Sequence, residues 1–235
     1  SLLAAFHASL IIIILKKKLY LIYIMVKLLE LFSGTGSVGK VAKSLGYEVV
    51  SLDLQGADIN IDILDWDYKA AYKPGDFDYV WASPPCETFS LCRRCWINRK
   101  LKHFGDVVVT AEMLDADMEE NGLPIVRKTE EIIEYFKPMH YFMENPESGK
   151  MKDYIDKPCY IVDYCMYSDY GYRKRTCIWT NKTDFNPLVC NKKCGNMIGN
   201  RHINNLGNGN KSRDEINTRH KYRIPPDLIH ALLKN

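Results

Sequence analysis

The chain has 235 residues, of which 46% are hydrophobic and 26% charged, and this is the composition of a globular protein rather than of a disordered chain. Its formal charge of +3 comes from 32 basic and 29 acidic residues. Because residues 1–24 hold three lysines and no acidic residue, the remainder is neutral, with 29 basic against 29 acidic residues. The net charge of the protein therefore gives no support to a nucleic-acid partner.

The distribution of charge is more informative than its sum. Residues 173–223 hold twelve Lys or Arg residues against three acidic ones. This local excess predicts a phosphate-binding surface, with a solvated surface segment as the alternative.

Residues 1–24 differ from the rest of the chain, since they contain no Gly, Pro or acidic residue. The lysines at 16–18 divide an apolar stretch that is too short on either side to span a membrane. A signal peptide would carry its basic residues before its apolar core. We interpret Met25 as the natural start and residues 1–24 as an upstream extension outside the domain, with a membrane-surface anchor as the alternative.

The eight cysteines have no clear secretory signal before them, which indicates reduced thiols in an intracellular protein, cytoplasmic or, in a eukaryotic host, nuclear.

The first predicted elements are a strand, a glycine loop and a helix. Residues 26–32 are an apolar run typical of a strand, and Gly34-Thr35-Gly36-Ser37-Val38-Gly39 follows with the pattern G-x-G-x-x-G. A helix to Leu45 and a second strand, residues 47–52, come next. Asp53 ends that strand, where a carboxylate can accept both hydroxyls of a ribose. Alone, this pattern fits a nicotinamide or flavin enzyme equally well.

The next strands lead to a cysteine on a rigid loop. Residues 58–64 alternate as a short strand, 66–74 predict a brief helix, and the strand at 77–82 runs into Ser83-Pro84-Pro85-Cys86. Neither proline has an N–H to donate, so the strand cannot continue within a sheet. Cys86 therefore lies at the carboxyl end of a strand, where open α/β sheets bind ligands. By itself it is a nucleophile or, more commonly, an inert thiol.

The second half of the chain keeps the α/β rhythm with one interruption. Residues 87–122 show no clear periodicity, which is typical of a functional lid or a disordered segment. Helical spacing then returns until Pro138, and a strand at 141–143 ends in Glu144-Asn145-Pro146. The remaining predicted elements are strands within 159–167 and 172–180, an irregular segment at 181–222 and a helix at 227–233. This alternation predicts a mostly parallel sheet with the glycine loop, Cys86 and Glu144 at one edge.

Four motifs occur in the order of the cytosine-5 DNA methyltransferase motifs: Leu31-Phe32-Ser33-Gly34-Thr35-Gly36, Ser83-Pro84-Pro85-Cys86, Glu144-Asn145-Pro146 and Arg173-Lys174-Arg175. The chain resembles that family over roughly residues 26–180. In its short length it resembles the short enzymes of phages and large DNA viruses. The resemblance implies a Rossmann-like S-adenosylmethionine-dependent methyltransferase fold in one domain, residues 25–235. It implies a small, irregular target-recognition region at about 87–122 and 181–222. It also implies double-stranded DNA as partner, and a monomer with no membrane and no obligate protein partner.

The resemblance further implies a cofactor site for S-adenosylmethionine over the glycine loop. In that site Asp53 holds the ribose hydroxyls, Leu54 packs on the adenine, and Asp62 accepts from the adenine amino group, although a turn carboxylate is the alternative for Asp62. The residues implied to form the site are Phe32, Gly34, Gly36, Asp53, Leu54, Asp62, Ile63 and Pro84.

The implied chemistry uses Cys86, Glu144, Arg173 and Arg175. A Cys86 thiolate adds to the 6-carbon of cytosine and turns the ring into an enamine that attacks the methyl group. Glu144 protonates or hydrogen-bonds ring nitrogen 3, while the two arginines steady the base carbonyl and a phosphate and favour the thiolate. The base must first leave the duplex, which costs ~2–4 kcal/mol.

Three positions depart from the usual family pattern. Glu87 and Gly171 each stand where the family usually has Gln, and Pro146 stands where Val is commoner. A catalytically inactive DNA-binding relative is therefore an alternative. Methylation of RNA is another, since some members of the family that the chain resembles act on transfer RNA. A nicotinamide-dependent oxidoreductase does not explain the Pro-Pro-Cys and Glu-Asn-Pro motifs.

Two further cysteine pairs have spacings that metal sites use. Cys190 and Cys194, with His202 eight residues on, match a loose zinc spacing, but the fourth ligand is unclear and His220 is only a guess. We predict free thiols here and at Cys92-x-x-Cys95, and hence no metal.

Overall fold

A computed structural model describes residues 25–204 and 218–234. The extension predicted at 1–24 and part of the predicted recognition region, residues 205–217, lie outside the described residues.

Most strands and helices of the described residues lie close to the predicted positions, whereas those within 87–122 and 181–222 were not predicted. The strands are β1 (Lys27–Leu31), β2 (Glu48–Asp53), β3 (Ile59–Asn60), β4 (Tyr79–Ala82), β5 (His140–Pro146), β6 (Cys159–Asp163), β7 (Arg175–Thr180), β8 (Met197–Ile198) and β9 (Arg201–His202). The helices are α1 (Ser37–Ser44), α2 (Tyr68–Ala71), α3 (Ala111–Asp117), α4 (Leu123–Phe136), α5 (Thr218–Lys221) and α6 (Pro226–Leu233).

Seven of these strands form one sheet in the order β3-β2-β1-β4-β5-β7-β6. The pairs from β3 to β5 are parallel, and β7 is antiparallel to both of its neighbours. This confirms the predicted mainly parallel α/β sheet. The strands β8 and β9 form a separate two-stranded hairpin.

Side chains point alternately to the two faces of the sheet along each strand, and helices cover both of these faces. Leu28 packs on one face with α1 and α6, while Leu29 and Leu31 pack on the other face with α4. Both faces of β1 are therefore buried, which explains the continuous apolar run in its sequence. Within the described residues, no helix is long and apolar enough to cross a membrane.

The segment 87–122 is more regular than its sequence suggests. It contains 3₁₀ turns at Leu91–Trp96 and Lys102–Phe104, then α3 and a π-helical turn at Met118–Gly122 that continues into α4. Buried Arg93 anchors the segment by an ion pair with Asp117. Helical periodicity is hard to see in α3 because Leu114 is its one buried residue.

Three strands differ from the prediction in where they end. β3 spans only Ile59–Asn60 rather than residues 58–64, because a turn closed by the Asp65 N–H and the Asp62 carbonyl follows it. β5 continues through Pro146, since that residue pairs with Thr176 of β7 at the end of the ladder, where the missing N–H costs little. β6 ends at Asp163 rather than near Tyr167, because a 3₁₀ turn occupies Tyr164–Met166.

Candidate active site

The loops after β1 and β4 and the end of β5 meet at one edge of the sheet. They line a cleft of about 380 Å³. The cleft wall includes Gly34 of the glycine loop, Cys86 and Glu144. Parallel neighbouring strands carry their carboxyl ends to the same edge, so the three motifs meet although they lie far apart in the sequence.

The glycine loop is held at its turn by Asp53. Gly34 and Gly36 have φ angles of 50° and 66°, a left-handed conformation that glycine adopts at little cost. Asp53 Oδ2 accepts from the Gly34 N–H at 2.8 Å, and Oδ1 accepts from the Leu54 N–H at 2.7 Å. Each carboxylate oxygen has a second lone pair, so Asp53 can still accept from a ligand in the cleft.

Glu30 is a cleft residue that the sequence reasoning missed. It lies on β1 with 3% of its surface exposed, and its Oε2 accepts from the Gly39 N–H at 3.0 Å. A Cβ at position 39 would lie 2.6 Å from that oxygen, which explains the third glycine of the motif. Burial raises the pKa of Glu30 to about 7, against the lowering effect of the Gly39 and Val38 N–H groups. A lone carboxylate inside the apolar run Leu28–Phe32 was the available signal.

The predicted cofactor residues divide into two groups. Four of them line the cleft: Phe32, Gly34, Asp53 and Pro84. Gly36 belongs to the same loop but is not part of the wall. Leu54 is 66% exposed, and Ile63 is buried in the core below the sheet. Asp62 Oδ1 accepts from the Leu64 N–H at 2.9 Å. This contact is the one expected if Asp62 is a turn carboxylate rather than a cofactor ligand.

The Cys86 thiol lies half-buried in the cleft. Its pKa is raised to about 11, chiefly by burial and by the charge of Glu87, while Lys174 acts in the opposite direction and Glu144 adds a smaller increase. The thiol is therefore protonated at neutral pH before a substrate binds. Asn145 Nδ2 donates to the Pro84 carbonyl at 2.8 Å, and so joins the end of β5 to the loop that carries Cys86.

Glu144 is 5% exposed and has two hydrogen-bond donors beside it. Its Oε1 accepts from the Tyr164 hydroxyl at 2.8 Å and from Lys174 Nζ at 3.3 Å. The Lys174 ammonium also lies 4.9 Å from the centroid of the Tyr164 ring. Neither Tyr164 nor Lys174 was predicted as a site residue.

Arg173 and Arg175 do not line the cleft, in contrast to the sequence prediction. Both Nε atoms donate to Asp163 Oδ1, at 2.9 and 3.1 Å, and Arg175 Nη2 donates to Oδ2 at 2.9 Å. The reason is that Arg175, the first residue of β7, pairs directly with Asp163 on β6, and Arg173 reaches the same carboxylate from two residues before the strand. The residue between the two arginines, Lys174, consequently reaches Glu144.

One more residue reaches the cleft from the C-terminal part of the chain. The Tyr222 hydroxyl donates to Glu87 Oε1 at 3.1 Å, and Tyr222 lines the cleft beside Cys86. The wall thus holds the acidic side chains of Glu30, Asp53, Glu87 and Glu144 against one lysine, Lys174, among the described residues.

Comparison with known proteins identifies the family. The probable DNA (cytosine-5)-methyltransferase of Frog virus 3 (isolate Goorha) is 43% identical in an alignment of 217 residues that covers 88% of this chain and 98% of that protein. The chain therefore belongs to the DNA (cytosine-5)-methyltransferase family, which confirms the resemblance in its motifs. No protein-family model matches the chain.

Among solved structures, the Entamoeba histolytica methyltransferase EhMeth is 14% identical, with a TM-score of 0.39 over 71% of this chain and 56% of that one. The S. pombe Dnmt2 methyltransferase is 12% identical, with a TM-score of 0.37 over 66% and 49%. The chain spans about half the length of these two proteins. Family membership rests on the viral relative.

Proposed function

We propose that this protein transfers a methyl group from S-adenosylmethionine to the 5-carbon of cytosine in double-stranded DNA, through a covalent adduct with Cys86. The observation that supports this most is a single cleft whose wall joins the glycine loop and Asp53 to Cys86 and Glu144. The name of the viral relative, a probable DNA (cytosine-5)-methyltransferase, supports DNA as the substrate. Action as a monomer inside the cell stays a prediction from the sequence.

The cofactor would lie at the glycine-loop end of the cleft. Asp53 accepts the ribose hydroxyls, and Phe32, Gly34 and Pro84 contact the rest of the molecule. S-adenosylmethionine carries its methyl group on a positively charged sulfur. The carboxylates of Asp53 and Glu87 in the wall favour such a cation, because opposite charges attract more strongly in a partly desolvated cleft than in water.

In the proposed chemistry, the Cys86 thiol gives its proton to the Glu144 carboxylate, and the resulting thiolate donates an electron pair to the 6-carbon of cytosine. The ring electrons move to nitrogen 3, which takes the proton that Glu144 received from the thiol, and the new double bond between the 4- and 5-carbons makes the ring an enamine. The 5-carbon then attacks the methyl group, and the electrons of the methyl–sulfur bond stay on the departing sulfur. A base removes the proton from the 5-carbon and the Cys86 thiolate is expelled, while nitrogen 3 returns its proton to Glu144, and the aromatic ring is restored.

Lys174 takes over the role that the sequence suggested for the arginine pair. Its ammonium is 3.3 Å from Glu144 Oε1, and it lowers the pKa of Cys86. We therefore assign to Lys174 the stabilisation of the thiolate and of the base carbonyl. Arg173 and Arg175 act as positioning residues, because their pairing with buried Asp163 fixes the β6–β7 edge from which Lys174 projects.

The target base must leave the duplex to reach Cys86, because the 6-carbon is inaccessible within the stacked helix. Beyond the catalytic loop, exposed basic residues of the segment 87–122 could contact the phosphates of the strand. These residues are Arg94, Arg99, Lys100 and Lys102. The second part of the recognition region, the described part of residues 181–222, adds exposed Lys192, Lys193 and Arg201.

Transfer of labelled methyl from S-adenosylmethionine tests the proposal. The full chain is incubated with duplex DNA of mixed sequence and, separately, with RNA, and the modified base is identified. We expect 5-methylcytosine in DNA and its loss in Cys86→Ala. Label found only in RNA would overturn the substrate. Binding of S-adenosylmethionine without transfer to either would indicate the inactive relative.

A further inference from the structure

Four residues that the methyl-transfer site does not use converge beside β6. They are Cys165, Cys190, Cys194 and His202, and one possible ligand atom from each lies within 4.8 Å of the others. The sequence showed three of them at a zinc-like spacing and offered only His220 as a fourth. Cys165, from the 3₁₀ turn after β6, is instead the residue that completes the set, and its distance along the chain concealed it.

The spacing of the ligand atoms matches a tetrahedral zinc ion. Cys190 Sγ lies 3.6 Å from Cys194 Sγ and 3.6 Å from His202 Nε2, and Cys194 Sγ lies 3.4 Å from the same nitrogen. Zinc–sulfur bonds of about 2.3 Å and zinc–nitrogen bonds of about 2.0 Å give tetrahedral edges of about 3.8 Å between sulfurs and about 3.5 Å between sulfur and nitrogen. A disulfide would need about 2.05 Å between sulfurs, which these free thiols do not approach.

We propose that Cys165, Cys190, Cys194 and His202 bind one zinc ion as a structural Cys₃His site. Four protein ligands fill the tetrahedron and leave no open position, which is the arrangement of a structural rather than a catalytic zinc. Zinc binding at this site does not require that the protein transfer methyl groups.

The surrounding backbone supports thiolate ligands. The Lys192 N–H points to Cys190 Sγ at 3.3 Å, and Lys192 has a φ of 65°, as a tight turn between two ligands requires. The Cys190 N–H donates to Asp163 Oδ2 at 2.8 Å. The backbone at Cys190 is thereby fixed to the same carboxylate that binds Arg173 and Arg175.

The ion would join the recognition segment to the active-site edge of the sheet. The hairpin β8–β9 has only two residues in each strand, and an isolated hairpin of this kind is marginal in water. Zinc would tie it to the turn of Cys165, which directly follows Tyr164, the hydrogen-bond donor to Glu144. Asn196 strengthens the same junction, since its Nδ2 donates to the Cys165 carbonyl at 2.9 Å.

Metal content and thiol protection test this site in the full chain. Protein saturated with zinc and dialysed should hold about one zinc per chain by mass spectrometry of the metal. Cys190→Ser should lose it, whereas the double variant Cys92→Ser/Cys95→Ser, altered at two exposed cysteines outside the cluster, should retain it. His202→Cys should also retain zinc, because a Cys₄ set binds the ion equally well.

A measurement on the unaltered chain covers the case in which Cys190→Ser does not fold. Alkylation followed by peptide mass spectrometry should find Cys165, Cys190 and Cys194 protected with zinc and at least ten-fold more reactive after chelation. Cobalt in place of zinc should give thiolate-to-metal charge-transfer absorption. Absence of zinc from saturated protein, unchanged reactivity on chelation, or a Cys190–Cys194 disulfide in the freshly purified protein would overturn the proposal.

Discussion

At the scale of single residues, the cleft chemistry depends on the charges around one thiol. Glu87 raises the pKa of Cys86 and Lys174 lowers it, so the two side chains act on the thiolate in opposite directions. Lys174 is also the one basic side chain that the described residues contribute to the cleft wall. The reactivity of Cys86 should therefore respond to each of them with opposite sign.

We predict that Lys174→Met slows alkylation of Cys86 at pH 8 and that Glu87→Gln accelerates it. The pKa of Cys86 is about 11, so the thiolate is a small fraction at pH 8, and each further unit of pKa changes that fraction about ten-fold. Iodoacetamide labelling with mass spectrometry of the Cys86 peptide measures the rate. Lys152→Met, which removes a lysine paired with Glu147, is the control. Equal rates in both test variants would contradict the electrostatic account.

The buried carboxyl group of Glu30 leads to a second prediction, which concerns how the free energy of unfolding depends on pH. In the unfolded chain its pKa is near 4.5 and in the folded chain about 7, so the folded state holds the extra proton between these values. The contribution of Glu30 to stability is complete below pH 4.5 and is lost as the pH rises through 7. Between pH 5 and 7 the loss is about 2 kcal/mol.

Glu30→Gln should lack this loss, because the amide oxygen can still accept from Gly39 without ionising. Urea unfolding of both proteins at pH 5 and pH 7 measures it. The stability of the variant relative to the natural chain should increase by about 2 kcal/mol over that interval. A difference that is the same at both pH values would show that Glu30 is not buried as a proton-binding group.

The sequence predicted the motifs of the site better than the side chains that complete it. Cys86, Glu144 and Asp53 could be predicted because each directly follows or ends a recognisable strand. Lys174 could not, because the choice between it and its arginine neighbours depends on which side chains at the entry to β7 face Asp163. The register of β7 against β6 fixes that choice, and the local sequence does not reveal it.

The departure at Gly171, where the family usually has Gln, also depends on a contact between residues that are distant in the sequence. Its φ is 76°, and a Cβ there would lie 2.5 Å from Asn204 Nδ2. The departure therefore accommodates the packing of the recognition segment on this turn, which involves a contact far along the chain that no local pattern reveals.

At the scale of elements, the catalytic loop is supported from behind by the π-helical turn between α3 and α4. Gly122 of that turn lies against Thr88 and Phe89, which follow Cys86 within the same loop. Phe89 is buried, and its N–H donates to the Cys86 carbonyl at 3.2 Å. The absence of a side chain at position 122 is thus what allows the helix to approach the loop.

We predict that Gly122→Ala destabilises the protein by about 1–3 kcal/mol, the range for overpacking a filled site. The new methyl group would collide with the Thr88 hydroxyl. Thr88→Ala/Gly122→Ala should recover much of the loss, with Thr88→Ala alone as the matched control. Urea unfolding of the four proteins measures the coupling, and strictly additive effects would contradict this contact.

The sequence predicted most elements of the main sheet and its helices, including the short α2 and β3, and missed α3, the β8–β9 hairpin and α5. The helix now seen as α4 and the parallel strands have many buried residues at regular spacing, so their positions could be read from the chain. The helix α3 buries little and is held by the ion pair of Arg93 with Asp117, an interaction between residues distant in sequence. Such stabilisation leaves no periodic pattern.

At the scale of the whole molecule, the C-terminal residues close the core that the first strands begin. Leu228 and Leu232 of α6 pack in the same cluster as Leu28 of β1. The Tyr47 hydroxyl donates to the Leu233 carbonyl at 2.9 Å. The ends of the described chain therefore depend on each other.

We propose that residues 25–235 form one domain and that residues 1–24 do not contribute to it. The chain beginning at Met25 should bind S-adenosylmethionine with the same dissociation constant as the full chain and unfold in a single transition. Isothermal titration and calorimetric melting measure both. Loss of cofactor binding on removal of residues 1–24 would assign that segment to the domain.

The central claim is that Cys86 attacks the base, and trapping on 5-fluorocytosine tests it most directly. After methyl transfer, fluorine cannot leave the 5-carbon as a cation, so the enzyme stays bound to the DNA. We predict a covalent complex that requires S-adenosylmethionine, forms in Cys92→Ala and Cys95→Ala, is slowed in Glu144→Gln and is absent in Cys86→Ala. A covalent complex that persists in Cys86→Ala would contradict the mechanism, even in an active methyltransferase.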